Sequence, residues 1–206
     1  MSAYPPEPWY LGGSLLVSAF LVPGHELPAF DIPDGRRPLR LGGRTVVGTA
    51  FVSYVPGGVL DYNELLVALP SLPGPRVTIP QIWVDSPTSK AGGRELWGIP
   101  KELHDFSRVD SSSGAEVSMG SVASVSATYG RRLLPGMRQL GLDTVQILDG
   151  RRILSRNRVI GRMHALTAAW TFDPDGPLGY LAGRRPFFSA AIRDASIIFG
   201  MDVERP

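Results

Sequence analysis

Cysteine is absent from the chain. With none among 206 residues, the sequence excludes a disulfide framework, a thiolate nucleophile and a sulfur-ligated metal site. The three histidines, His25, His104 and His164, lie far apart and lack the paired spacing of metal ligands, so we expect no metal. We also expect no cofactor, because no phosphate-binding loop, dinucleotide fingerprint or nucleophile elbow occurs.

Strong charge and long apolar runs are also missing. The formal net charge is +2 and the arginine pairs are dispersed, so we expect no nucleic-acid partner. The apolar run over residues 11–22 is shorter than the ~20 residues that span a bilayer, and no basic segment precedes it. We interpret this run as a buried strand and expect a cytoplasmic protein that does not bind membranes.

The clearest pattern present is two-residue alternation of apolar and polar side chains, which is typical of strands with one buried face. Over residues 117–129 the odd positions are mostly apolar, and we predict a single strand there; residues 164–172 alternate in the same way. Further strands are predicted at residues 14–22, 45–54, 64–69, 77–84 and 187–199. We therefore predict a mainly β (β-rich α+β) protein, with residues 1–206 in a single domain.

Helix signals are sparse. Residues 85–96 are the best candidate, because they open with Asp-Ser-Pro, which supplies a cap and a suitable first turn. Gly98 and Pro100 then end the helix, which places Lys101 just past it on a rigid turn. The Gly-Arg-Arg triplets predict tight turns at four glycines: Gly35, Gly130, Gly150 and Gly183.

Lysine is almost as rare as cysteine, since only Lys90 and Lys101 among the 21 basic residues are lysines. A lysine amine can form a Schiff base with a carbonyl compound, whereas the guanidinium group of arginine cannot. Because the chain otherwise uses arginine for positive charge, Lys101 is a candidate nucleophile. The alternative is that Lys101, like Lys90, is an ordinary solvated charge.

The segment Gly93-Arg94-Glu95-Leu96-x-x-x-Pro100-Lys101-x-Leu103 resembles the signature of the acetoacetate decarboxylase family. Upstream, Asp61-Tyr62-Asn63-Glu64 is similar to that family's Tyr-x-Glu element. The resemblance extends over nearly the whole chain and implies that Lys101 forms the Schiff base while Glu64 faces the reacting centre. Without the resemblance, Glu64 would equally well be a carboxylate paired with an arginine.

The same resemblance implies a fold and an assembly. The family fold is a closed antiparallel β-barrel or cone with a flanking sheet and few short helices, and its members form homo-oligomers. Tyr62, Trp97 and Trp170 could wall the pocket around the lysine, although aromatic side chains in a β core are more often only packing. His104 could carry protons, although a lone histidine after a turn is usually solvated.

Three positions depart from the family pattern. In the decarboxylases a second lysine directly follows the Schiff-base lysine, and here that residue is Glu102. The arginine thought to hold the substrate carboxylate would fall around residues 11–14, which read Leu-Gly-Gly-Ser, and a further glutamate has no counterpart in residues 48–51. We therefore expect a reaction other than plain acetoacetate decarboxylation.

Our leading hypothesis is a lyase that forms a Schiff base with a small or medium carbonyl (keto) substrate, with Lys101 as nucleophile and Glu64 as proton shuttle. A protonated imine is an electron sink that serves decarboxylation, aldol chemistry or dehydration. Two alternatives stay open. One is a cyclase or isomerase of secondary metabolism that uses an apolar barrel cavity without an imine; the other is a barrel that binds a small molecule without catalysis.

Overall fold

Strands make up most of the computed structural model, which describes residues 4–205. One α-helix, α1 (Pro87–Trp97), and two single-turn 3-10 helices (Gly24–Glu26 and Gly179–Leu181) accompany them. The predicted mainly β class is confirmed, and no helix within the described range is long and apolar enough to cross a membrane. The strands are β1 (Trp9–Pro23), β2 (Arg37–Pro38), β3 (Arg40–Leu41), β4 (Arg44–Val55), β5 (Tyr62–Leu72), β6 (Arg76–Val84), β7 (Lys101–Leu103), β8 (Phe106–Asp110), β9 (Gly114–Met119), β10 (Ala123–Arg132), β11 (Arg138–Gly141), β12 (Asp143–Leu148), β13 (Arg151–Phe172) and β14 (Phe188–Glu204).

Seven of the strands are paired in a ring. The order β6-β5-β4-β1-β14-β13 is antiparallel at every step, and β12 joins its two ends by pairing with both β13 and β6. The β6–β12 pairing is parallel, and so is the pairing of β6 with β7. The predicted antiparallel barrel is therefore confirmed, with two short parallel pairings added at β6. The pairing with β7 is parallel because the chain leaves β6 through α1 and returns beside it in the same direction.

The longest strand connects the ring to a flanking sheet. β13 spans 22 residues; its first part pairs with β11, β12 and β14, and its last part pairs with β10, which is followed by β9 and β8. The ring strands consequently separate two apolar cores. On β5, Leu65 and Val67 face the core shared with the flanking sheet, whereas Glu64 and Leu66 face the inside of the ring.

Six of the predicted strands are found, and the seventh is wrong. Residues 117–129 form a hairpin of β9 and β10 rather than one strand, with Met119 opposite Ala123 and Val117 opposite Val125. Both members of each pair carry odd numbers, so the alternation of buried positions continues through the turn unbroken. A two-residue period cannot reveal a turn that preserves parity.

The Gly-Arg-Arg triplets mark turns at three of the four predicted glycines. Gly35, Gly150 and Gly183 have φ values of 76°, 72° and 71°. Gly150 follows Asp149, at φ 50°, and the two residues connect β12 to β13 as a tight hairpin. The prediction for Gly130 is wrong, because this residue continues strand β10.

Helix α1 forms where the capping sequence predicts it. The Ser86 side chain caps its first turn by accepting a backbone N–H bond at 3.1 Å, and Pro87 is its first residue. The helix ends at Trp97 because Gly98 adopts the left-handed conformation, with φ 64°. Position 98 also lies against β12, where an added Cβ would be 2.3 Å from the carbonyl oxygen of Ile147.

We expect Gly98→Ala to lower the free energy of unfolding by more than the about 1–3 kcal/mol that a left-handed non-glycine residue costs, because the new Cβ also meets the β12 backbone. Urea unfolding measures this difference. Gly150→Ala is the control, since Gly150 has φ 72° but open space around its Cα. Equal losses in the two variants would contradict the close approach at Gly98.

Candidate active site

Lys101 is buried at the end of the segment that follows α1. It is the first residue of β7 and lies opposite Ile82 of β6, rather than on the rigid turn that was predicted. Only 4% of its surface is exposed. Its Nζ donates hydrogen bonds to Glu64 Oε2 at 2.9 Å, to Ser89 Oγ at 2.9 Å and to Tyr62 Oη at 3.2 Å. These acceptors satisfy all the donor capacity of an ammonium group.

Two adjacent glycines of α1 make room for the site. A Cβ on Gly93 would lie 2.6 Å from Lys101 Cδ, and one on Gly92 would lie 2.5 Å from the ring of Trp9. Arg94 then donates from Nε to the carbonyl oxygen of Lys101 at 2.7 Å, which fixes the backbone of β7. The lysine side chain can therefore run directly along the helix surface to reach the inside of the ring.

Glu64 reaches the lysine because it shares one face of β5 with Tyr62, as side chains two residues apart on a strand do. Tyr54 of β4 lies opposite Tyr62 in the strand pairing, and their ring centroids are 4.4 Å apart. Tyr54 Oη donates to Glu64 Oε1 at 3.3 Å, and Tyr62 Oη donates to Oε2 at 3.4 Å. Each carboxylate oxygen thus accepts a bond from one phenol, and Oε2 also binds the lysine.

These polar groups line a small apolar cavity inside the ring. Its volume is about 50 Å³, several times the ~10–15 Å³ that one water molecule needs. Trp97 contributes to the wall between Trp9 and Phe199, with ring centroids 4.8 Å and 4.6 Å from its own. The aliphatic part of the wall includes Leu11, Leu15, Ile79, Ile99, Val159 and Ile197.

The charges of the cavity balance. Among its described lining residues, Lys101 is the only basic and Glu64 the only acidic one. Burial lowers the pKa of Lys101, but the facing carboxylate and the hydrogen bonds outweigh burial and raise this pKa overall. Burial raises the pKa of Tyr62 to about 12 and that of Tyr54 well above its usual value. The resting site therefore holds an ammonium, a carboxylate and two neutral phenols.

Glu102, which replaces the second lysine of the family pattern, points away from the cavity. Its carboxylate forms salt bridges with Lys90, at 2.8 Å, and with Arg94, and 53% of its side chain is exposed. The hydrogen bond from Lys90 and the charge of Arg94 lower the pKa of Glu102. Glu102 therefore belongs to the outer surface and does not share the environment of Lys101.

Two of the six predicted site residues, Trp170 and His104, lie outside the cavity. Trp170 stacks between Phe51 and Phe172, with centroids 5.3 Å away on each side, and its Nε1 donates to Ser18 Oγ at 2.8 Å. It belongs to the core shared with the flanking sheet. His104 lies at the far end of β7 in a surface depression, with Nδ1 3.2 Å from the next backbone carbonyl oxygen. Neither side chain reaches the cavity.

The structure brings the other four predicted residues together and adds three that the sequence analysis missed. Tyr54 and Ser89 contact Glu64 and Lys101 directly. Asn157 also lines the cavity, but its side chain hydrogen-bonds to the backbone: its Oδ1 accepts a hydrogen bond from Gly200 N at 2.8 Å. Register between β4 and β5 could have identified Tyr54, whereas no local pattern distinguishes Ser89 from other serines of a first helical turn.

The family model of acetoacetate decarboxylase (ADC) matches residues 5–153, which include both Glu64 and Lys101. The chain belongs to the acetoacetate decarboxylase family. No curated protein sequence matches it.

Solved structures of acetoacetate decarboxylase-like proteins share the fold. The acetoacetate decarboxylase of Legionella pneumophila is 17% identical with a TM-score of 0.71, covering 100% of this chain and 90% of its own. The enduracididine biosynthesis enzyme MppR complexed with pyruvate is 17% identical, with a TM-score of 0.70 and coverage of 98% and 91%. An acetoacetate decarboxylase-like enzyme from Sphingomonas wittichii is 14% identical, with a TM-score of 0.71 and coverage of 100% and 94%.

In this member of the acetoacetate decarboxylase family, Lys101→Met should lower the free energy of unfolding by about 3–5 kcal/mol, because it leaves the Glu64 carboxylate buried without a partner. Adding Glu64→Gln should restore much of the loss. Urea unfolding at pH 7 tests both.

The matched control for that experiment is Lys90→Met, which removes a lysine paired at the surface with Glu102. We expect a change below about 1 kcal/mol, as is usual for exposed ion pairs. If the two lysine variants were equally destabilised, the buried pair would not have the importance assigned to it.

Proposed function

We propose that the protein is a lyase that forms a Schiff base between Lys101 and a small carbonyl substrate, with Glu64 as proton shuttle. The observation that carries the proposal is the burial of one amine, 2.9 Å from a carboxylate, at the wall of an apolar cavity. Membership of the acetoacetate decarboxylase family supports this chemistry. The enzyme would need no cofactor, because the iminium ion itself accepts the electron pair released from the substrate.

The first step is a proton transfer within the ion pair. Glu64 Oε2 takes a proton from Nζ over 2.9 Å, which leaves a free amine and a carboxylic acid. The amine then attacks the carbonyl carbon while Tyr62 donates a hydrogen bond to the developing oxyanion, and one proton moves from the attacking nitrogen to that oxygen. The resulting carbinolamine loses its hydroxyl as water when Glu64 returns the proton, and a protonated imine and a carboxylate remain.

The charge of the site favours small carbonyl compounds without an additional carboxylate to be held. The charge of Lys101 is already offset by Glu64, and no arginine lines the cavity within the described part of the chain. An unpaired substrate carboxylate would then be costly to bury. Aldol or dehydration chemistry on the imine is therefore favoured over plain acetoacetate decarboxylation.

Assembly and location belong to the same proposal. We expect a single-domain enzyme that forms homo-oligomers, as the family resemblance implies, and that works in the cytoplasm on a small-molecule carbonyl substrate. Size-exclusion chromatography with light scattering tests the assembly.

A second candidate keeps the cavity and omits the imine. In the resting site the pKa of Lys101 is raised and all three of its N–H groups have acceptors. This arrangement also suits a cyclase or isomerase in which Glu64 and Tyr62 move protons while the ammonium only stabilises negative charge. Covalent trapping separates the two candidates.

Borohydride reduction in the presence of acetone should leave a mass adduct on Lys101, whereas pyruvate, whose carboxylate would have no free cation to pair with among the described residues of the cavity, should leave less. Lys101→Arg should abolish the adduct, because arginine keeps the charge but cannot form an imine. Lys90→Arg is the matched control and should retain it, as these are the chain's only two lysines. Peptide mapping by mass spectrometry locates the adduct; turnover of a carbonyl substrate without one would favour the second candidate.

The rate of adduct formation should change little between about pH 6 and 8. The reactive amine–carboxylic acid form is a tautomer of the resting ion pair and contains the same number of protons. In Glu64→Gln the proton has to leave for solvent, so the rate should rise with pH, by up to tenfold per unit below the lysine pKa. A wild-type rate with that same steep rise would show that Glu64 does not accept the proton.

A further inference from the structure

A second concave site lies on the other face of the strands that line the cavity. It is a groove of about 430 Å³ where β1, β4 and β14 meet β8 and β10. Unlike the cavity, it is lined by guanidinium groups, those of Arg108 and Arg193, together with the hydroxyl groups of Ser14 and Ser53. Nothing in the proposed lyase chemistry uses these residues.

Arg193 reaches this groove through a β-bulge. The register between β1 and β14 shifts between Gly13 and Leu15, and Asp194 has φ 50° at the same point. Bulges commonly re-aim a side chain next to a functional site. Here the guanidinium of Arg193 lies over the ring of Tyr129, 4.6 Å from its centroid, and it forms no salt bridge or hydrogen bond within residues 4–205.

Arg108 forms the opposite wall and is held rigidly. Asp110 accepts two hydrogen bonds from it, both at 2.8 Å, and Ser14 Oγ accepts a third at 3.1 Å. Its Nη1 is buried and has no hydrogen-bond partner among the described residues. A buried charged donor without an acceptor is costly and uncommon in folded proteins.

Both carboxylates of the groove form salt bridges with arginines other than Arg193. Asp110 is paired with Arg108, and Asp194 is paired with Arg162. The hydrogen bond from Arg108 and, to a lesser extent, the charge of Arg193 lower the pKa of Asp110, so Arg193 shares this carboxylate but forms no salt bridge of its own among the described residues. The floor is also open at Gly12, where an added Cβ would meet nothing closer than 3.7 Å. A glycine inside a strand often marks a bulge, such as the one between Gly13 and Leu15, or a place where a ligand or another backbone comes close.

We propose that this groove binds a small oxyanion, the phosphate or carboxylate group of a metabolite, between Arg193 and Arg108. Arg193 is half-exposed and meets the ligand first. Nη1 of Arg108 is covered, so Arg108 contributes its positive charge at the opposite wall rather than a direct hydrogen bond from that atom. The hydroxyl of Ser14 accepts from Arg108, so its own proton is free to bond the ligand.

Isothermal titration calorimetry with inorganic phosphate, and in parallel with acetate at matched ionic strength, tests the proposal. We expect saturable binding of at least one of the two anions, and which one binds identifies the group. Arg193→Gln should weaken that binding roughly tenfold to hundredfold, the usual range for a hydrogen bond to a charged group. Arg193→Lys, which keeps the charge, should lose less.

The matched control is Arg156→Gln, which removes the same charge from an exposed residue paired with Asp202. It should leave the affinity within twofold, and thermal unfolding should show that every variant is folded. Absence of saturable binding to the wild type, or equal weakening by the Arg156 and Arg193 substitutions, would overturn the proposal. Neither result depends on Lys101, so the lyase proposal is tested separately.

Discussion

One buried ion pair, Lys101 with Glu64, organises the inside of this molecule. Two charges are removed from water there, and a low-dielectric interior compensates that cost only when the remaining polar atoms are also hydrogen-bonded. Ser89 and two tyrosines supply those bonds. As a result, α1, β4, β5 and β7 are all connected through a few atoms at the cavity wall, and the same atoms that satisfy the charges define the candidate site.

The ion pair also determines how reactive the amine can be. In the family pattern a neighbouring lysine would add positive charge next to the nucleophile and favour its neutral form, but Glu102 takes that place and points outward. In the lyase mechanism that we propose, the reactivity of Lys101 then depends on internal proton transfer to Glu64. Under that proposal, stability and reactivity place opposite demands on this contact, because the charges that hold the strands together must be neutralised before the amine can attack.

Local patterns in the sequence predict the parts of the structure that depend on near neighbours. Strand period explains why Tyr62 and Glu64 share a face, and the capping sequence locates α1. The rest of the fold depends on pairing between strands that are far apart in the sequence. β12 completes the ring by pairing with β6 and β13, and no local sequence signal specifies these two pairings. Trp170 shows the same limit, because alternation places it on a buried face but cannot say which of two cores that face belongs to.

The two adjacent glycines of α1 lower the stability of the helix but make room for the candidate site. Glycine inside a helix costs about 1 kcal/mol relative to alanine, so Gly92 and Gly93 together sacrifice local stability. In return, they leave the space that Trp9 and the methylene groups of Lys101 occupy. Replacing helical glycines with alanine is a common route to more stable proteins, but in this helix the added Cβ atoms would fill the space through which Lys101 reaches the cavity.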